Sequence, residues 1–128
     1  MGKVNPRDAD NLAILRRSIR ETDVVSAIRD LLLMHGAVVL RQNSGAAVGD
    51  DGRYIPFVRW WAPGHRDEQA GAPDLIVLLR GSVFAIEVKR PGGRQSPMQR
   101  VFQAAWETAG GWYVLADSVD AVQQELGL

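Results

Sequence analysis

The stretch that decides the reading runs Gly71-Ala72-Pro73-Asp74-Leu75-Ile76-Val77-Leu78-Leu79-Arg80-Gly81-Ser82-Val83-Phe84-Ala85-Ile86-Glu87-Val88-Lys89. Two apolar runs of strand length, Leu75–Leu79 and Val83–Val88, are separated by Arg80-Gly81-Ser82, which has turn chemistry. If the runs close as an antiparallel hairpin at Arg80-Gly81, Leu79 faces Ser82 and Asp74 faces Glu87. A four-residue loop centred on the same point gives the same register. Directly opposed residues project from one face of a sheet with Cβ atoms about 4.5–5.5 Å apart. Lys89 lies two positions beyond Glu87 and projects from that same face.

Two opposed carboxylates repel each other. A divalent cation relieves the repulsion, and a hard ion such as Mg²⁺ takes oxygen ligands, one or two of them carboxylates. With Lys89 alongside, this predicts metal-assisted phosphodiester hydrolysis: the ion polarises phosphate and acidifies water, and the lysine orients that water and stabilises developing charge. Each half of the pattern has an ordinary explanation. Glu87 and Lys89 can be a surface pair on a strand, and Asp74 after Pro73 can be a turn residue. Together, at the mouths of apolar strands, the charged groups need a reason.

Outward from this hairpin the elements alternate. Upstream, Val24, Val25, Ile28, Leu31, Leu32 and Met34 follow helical periodicity, with Glu21 or Thr22 near the start and Gly36 as the stop. Ala37–Leu40 reads as a short buried strand. Residues 43–72 are rich in glycine and polar groups and carry Tyr54-Ile55-Pro56-Phe57-Val58-Arg59-Trp60-Trp61, a hairpin or an ordered loop. Downstream, Pro91-Gly92-Gly93 breaks the strand, Ser96-Pro97 opens a helix with Val101, Phe102, Ala105 and Trp106 on its apolar face, and Gly110-Gly111 ends it. Trp112–Leu115 is a further strand, and Asp117 or Ser118 caps a last helix to about Leu126. The expectation is an α/β single domain, a central mixed sheet flanked by helices, over residues 21–128. Residues 1–20 form a polar segment with a helix in which Leu12, Leu15 and Ile19 recur at helical spacing.

A chain of 128 residues with 46% hydrophobic and 23% charged residues suits one globular domain. It has no cysteine, which removes disulfides and thiolate zinc sites and fits a reducing compartment. No signal peptide is visible at Met1–Asn11, and no apolar run reaches the roughly 18 residues that span a bilayer. Fifteen basic residues balance fifteen acidic ones. Between Lys89 and Gln103, however, Lys89, Arg90, Arg94 and Arg100 occur with no acid among them, so a basic face can sit within a neutral chain. His35 and His65 have no partners at metal-ligand spacing.

The segment from Gly71 to Gly111 resembles the VRR-NUC (virus-type replication-repair nuclease) branch of the PD-(D/E)xK nuclease superfamily. The Pro73-Asp74 and Glu87-x-Lys89 elements carry the likeness, with the Pro-Gly-Gly turn before Ser96-Pro97-x-Gln99 and its helix. It covers about residues 21–126. The resemblance implies a restriction-endonuclease-like core and an Mg²⁺- or Mn²⁺-dependent nuclease. In it Asp74, Glu87 and the Val88 carbonyl bind the metal, Lys89 is the catalytic lysine, Glu21 assists the metal site, and Gln99 points at the active centre. Glu21 equally fits a helix-start acid favoured by the macrodipole. Ser96-x-x-Gln99 equally fits a capping box, and both roles for Gln99 require its side chain to swing. The resemblance further implies a homodimer acting on branched DNA such as four-way junctions, in DNA repair or phage DNA processing, in the cytoplasm of a bacterial cell or phage-infected host.

Arg90, Arg94 and Arg100 flank the proposed centre and are candidate phosphate contacts. Arg53, Tyr54, Phe57, Arg59, Trp60 and Trp61 mix rings with cations, a combination that stacks on bases and holds phosphates, although at least one tryptophan belongs under the loop or in an interface. The competing readings are a nuclease with a restriction-like or RNA target and a non-catalytic DNA-binding or assembly module of the same fold. A small-molecule α/β enzyme lacks a glycine-rich phosphate loop or nucleophile motif here.

Overall fold

The computed structural model describes residues 20–42 and 46–128. The expected helix around Leu12, Leu15 and Ile19 lies outside them. Helix α1 (Glu21–Met34) is followed by β1 (Val38–Arg41), two short hairpins made of β2 (Ala46–Val48) with β3 (Tyr54–Pro56) and β4 (Trp60–Ala62) with β5 (His65–Gln69), and then β6 (Leu75–Leu79), β7 (Ser82–Val88), α2 (Pro97–Thr108), β8 (Trp112–Ala116) and α3 (Val119–Leu126). The central sheet has the order β1-β6-β7-β8, antiparallel except for the parallel β7–β8 pair. A parallel pair needs a crossover, and α2 supplies it.

The β6–β7 reversal has the chemistry expected of a two-residue turn. Arg80 and Gly81 both take positive φ, 50° and 81°, as a type I′ hairpin requires. The register follows: Leu79 pairs with Ser82 and Leu75 with Ile86. Alternation then divides the strands. Leu75, Val77, Leu79, Ile86 and Val88 point into one core with Val114, Ala116 and Val122. Helix α1 covers this face because Val24, Val25, Ile28 and Leu32 form a single stripe. It stops at Gly36, whose φ of +84° lets the Gly36 and Ala37 N–H groups reach back to the carbonyls of Leu33 and Leu32. Ser118 caps α3 by accepting from the Ala121 N–H.

β1 is not the buried strand expected of Ala37–Leu40. It begins one residue later and forms the edge of the sheet, with Val38 62% and Leu40 56% exposed. Its apolar composition reflects β propensity at an edge rather than burial on two faces. The segment 43–72 holds two hairpins where one hairpin or a loop was expected, and each pairs only within itself. Among the described residues no helix is long and apolar enough to cross a membrane.

Ile28 is fully buried at the centre of the α1–sheet contact. Ile28→Ala is expected to cost about 2–5 kcal/mol, read as a lower urea midpoint at unchanged slope.

Candidate metal and catalytic site

The β6–β7 ladder ends at Leu75–Ile86, one step short of Asp74 and Glu87. There the Asp74 carboxylate takes over from the backbone: its Oδ2 accepts the Val88 N–H at 2.8 Å, while the Asp74 carbonyl accepts the Gln42 N–H from the end of β1 at 2.8 Å. Asp74 is thus tied to both neighbouring strands. Glu87 sits within β7, 2% exposed, on the face opposite the α1 core. Lys89 follows on the same face, and its backbone N–H extends the β7–β8 pairing to the Ala116 carbonyl at 2.8 Å.

Carboxylate oxygens of Asp74, Glu87 and Glu21 all lie within 4.8 Å of one another. Glu21 reaches the group from the first turn of α1, where acids also suit the helix dipole, so the two explanations of its position coincide. The Glu87 Oε1 accepts from Gln99 Nε2 at 2.9 Å and lies 3.4 Å from Lys89 Nζ. Its Oε2 is buried and has no hydrogen-bond partner among the described residues. Burial, then the neighbouring Asp74 charge, push the Glu87 carboxyl up to about 8, against the opposing pull of Lys89. An orphaned buried carboxylate oxygen beside two further acids fits a hard divalent cation, whose ligands are oxygens and whose charge relieves the crowding.

Gln99 closes the capping box and reaches Glu87 at the same time, without swinging. Its Oε1 accepts the Ser96 N–H at 2.8 Å, while Ser96 Oγ accepts the Gln99 N–H at 3.2 Å. This leaves Nε2 to donate to Glu87. The amide has two ends, and the capping box uses only one. Gly71, which sequence reasoning passed over, completes the arrangement. Its φ is +87°, and a Cβ there would lie 2.5 Å from the Met98 carbonyl group. Only glycine lets the chain entering Asp74 run against the first turn of α2. A glycine two residues before Pro73 was the available signal.

Gln95 and Tyr113 were also missed. The Gln95 amide donates to Tyr113 at 3.1 Å and to Gln103 at 2.9 Å, fastening the loop after β7 to α2 and β8. Burial pushes the Tyr113 hydroxyl well above the usual phenol range.

The basic candidates lie on the surface. Arg90 and Arg94 are exposed on the turn after β7, closed by the Gly93 N–H on the Arg90 carbonyl. Arg100 is exposed on α2 and donates to the Gln95 carbonyl at 3.3 Å. Arg59 is exposed between the two hairpins. Trp60 is placed differently from the nucleic-acid contact expected of it. Its indole N–H donates to the Ala70 carbonyl at 2.7 Å and its ring stands edge-on to Phe102 at 5.2 Å. Alternation along β4 turns Trp60 and Ala62 inward and Trp61 outward, 59% exposed.

An antiparallel hairpin continued by a parallel βαβ unit, with acids and a lysine at the strand ends, defines a restriction-endonuclease-like α/β core. A solved structure of a "VRR_NUC domain" shares this architecture, with a TM-score of 0.59 over 84% of this chain and 94% of that chain at 21% identity. The chain therefore has the VRR_NUC fold. No family model matches the sequence, and no curated protein does.

The raised Glu87 carboxyl has a signed consequence. The folded protein binds this proton more tightly than the unfolded chain, so the stabilisation is complete below the ordinary value of 4.5 and is lost as pH rises to about 8. The metal-free protein is expected to melt at progressively lower temperature from pH 5 to pH 8 in EDTA. Millimolar Mn²⁺ should raise the melting temperature more at pH 8 than at pH 5, since the cation competes with that proton.

Proposed function

We propose that the chain is an Mg²⁺- or Mn²⁺-dependent endonuclease that hydrolyses DNA phosphodiester bonds, selective for branched DNA such as four-way junctions. The observation that carries the reading is the convergence of Glu21, Asp74 and Glu87, with one Glu87 oxygen buried and unpartnered among the described residues and the Lys89 amine 3.4 Å from the other. Asp74 and Glu87 hold the cation, with Glu21 and the Val88 carbonyl as further oxygen donors. Bound there, the ion polarises the phosphate and acidifies water. Lys89 contacts the scissile phosphate and stabilises the charge that develops on it. Gln99 holds Glu87 in place by donating to its Oε1, which leaves Oε2 open to a cation. Arg90, Arg94 and Arg100 bind backbone phosphates beside the centre, and Arg59 does so from the inserted hairpins. A two-fold homodimer would present two such centres to a symmetric junction.

The test is cleavage of labelled junction, flap, splayed-arm, duplex and single-stranded DNA with Mg²⁺ or Mn²⁺. Lys89→Ala is expected to lower cleavage on the order of 10²- to 10³-fold while DNA binding persists. Binding without cleavage by both proteins would favour the non-catalytic module. Arg94→Ala is expected to weaken binding and to flatten the plot of log affinity against log salt by about one unit of slope. An unchanged slope would remove Arg94 from the phosphate contacts.

A further inference from the structure

The insertion between β1 and β6 leaves large side chains uncovered. Among the described residues β2 and β3 pair only with each other. Val48 and Tyr54 stand directly opposite on one face of that hairpin, 63% and 78% exposed, and Phe57 just beyond it is 55% exposed. An isolated two-stranded hairpin gains little from its own packing, and apolar groups clustered on its surface mark an interaction site. The same insertion buries Trp60 against Phe102, so rings were accommodated inward where α2 offered a surface. Tyr54 and Phe57 stay out.

Both roots of the insertion are fixed to the acidic centre. At one end the Gln42 N–H bonds the Asp74 carbonyl; at the other Gly71 lies against Met98 and Gln99. The insertion therefore leaves and rejoins the sheet at the end that carries Asp74 and Glu87.

Charge decides what they fit. The turn joining β2 to β3 carries Asp50 and Asp51, and Arg53 is the one cation between residues 46 and 57. Two acids against one base give the β2–β3 hairpin no net attraction for a phosphate backbone, and the cations placed on phosphate, Arg59 just beyond Phe57 and Arg90 and Arg94 after β7, lie outside it. The chemistry left to the hairpin is the flat, uncharged face of a base. In a duplex that face is stacked and hidden; at a junction, flap or frayed end it is accessible. We propose that Tyr54 and Phe57 stack on unpaired bases of the DNA substrate and so select strand-open DNA over continuous duplex. The inference rests on the nuclease reading for its substrate, and it names the residues that determine specificity there.

The test uses full-length protein and 2-aminopurine placed in the single-stranded arm of a splayed DNA, beside a fully paired control. Affinity is measured in EDTA, and cleavage is scored separately with Mg²⁺ or Mn²⁺. Wild type is expected to change the arm fluorophore's emission through stacking. Tyr54→Ala and Phe57→Ala should each lower the splayed-over-duplex affinity ratio roughly tenfold, with the salt slope unchanged. Tyr54→Phe, which keeps the ring, should retain the ratio. Circular dichroism melts verify that each variant folds. Equal losses on both DNAs would overturn the inference. So would an unchanged ratio accompanied by conversion of a dimer to a monomer, which would make the hairpin an interface with a second copy. A wild-type protein that cleaves nothing would end the nuclease reading, while the affinity ratio would still decide the role of the rings.

Discussion

Three carboxylates at the end of a sheet are an electrostatic problem before they are a site. At an effective dielectric of about 20, two unit charges 4 Å apart interact by about 4 kcal/mol, and Asp74, Glu87 and Glu21 bring their oxygens within 4.8 Å of one another. Glu87 is also almost wholly removed from water. The surrounding structure offsets part of this. Asp74 accepts a backbone N–H from β7, and Glu87 accepts the Gln99 amide and faces Lys89. What remains is Oε2 of Glu87, for which no described residue supplies a donor. A proton meets that need, and a divalent cation meets it too, its two charges with that of the Lys89 ammonium matching the three acids. The raised carboxyl of Glu87 and its fitness as a metal ligand therefore have one cause.

The elements that hold the acids also hold the fold. The Val88 side chain fills the core while its N–H fixes Asp74. Gln99 caps α2 with one end of its amide and positions Glu87 with the other. Gly71 permits the contact between the Asp74 approach and the first turn of α2. A shift of α2 along the sheet would break the Gln99–Glu87 bond and the Gly71 packing together. Precision at the site thus comes from helices and strands rather than from loops alone, as a site that must keep carboxylates at fixed distances requires.

The sheet centre was legible in the sequence because its rules are local. Arg80-Gly81 permits a primed turn, the turn sets the register, and the register places Asp74 against Glu87. The caps were legible for the same reason: Gly36, Ser96 and Ser118 act within a few residues of where they stand. What escaped was nonlocal. The exposure of β1 depends on which helix covers which half of the sheet, and no periodicity within Val38–Arg41 encodes that. The inward turn of Trp60 depends on Phe102, more than forty positions away. Gln95 joins Tyr113 and Gln103 across two elements, a contact invisible until the crossover is built. The dual use of Gln99 was misjudged because only one hydrogen bond was counted for a side chain that makes two.

Backbone architecture and site chemistry are separate properties of the molecule. At 21% identity, a likeness over most of both chains establishes the arrangement of strands and helices. Folds of this kind keep their architecture while their sites change, so architecture alone does not assign chemistry. The acids supply what the architecture cannot. A decayed site would be free to let Glu87 become apolar, since its burial costs free energy in the absence of a ligand. The chain instead keeps Glu87 inside the sheet, with Lys89 and Gln99 turned toward it. Glu21, Asp74 and the unpartnered oxygen of Glu87 fit a divalent cation, and that fit, more than the resemblance of the backbone, supports the proposed metal site.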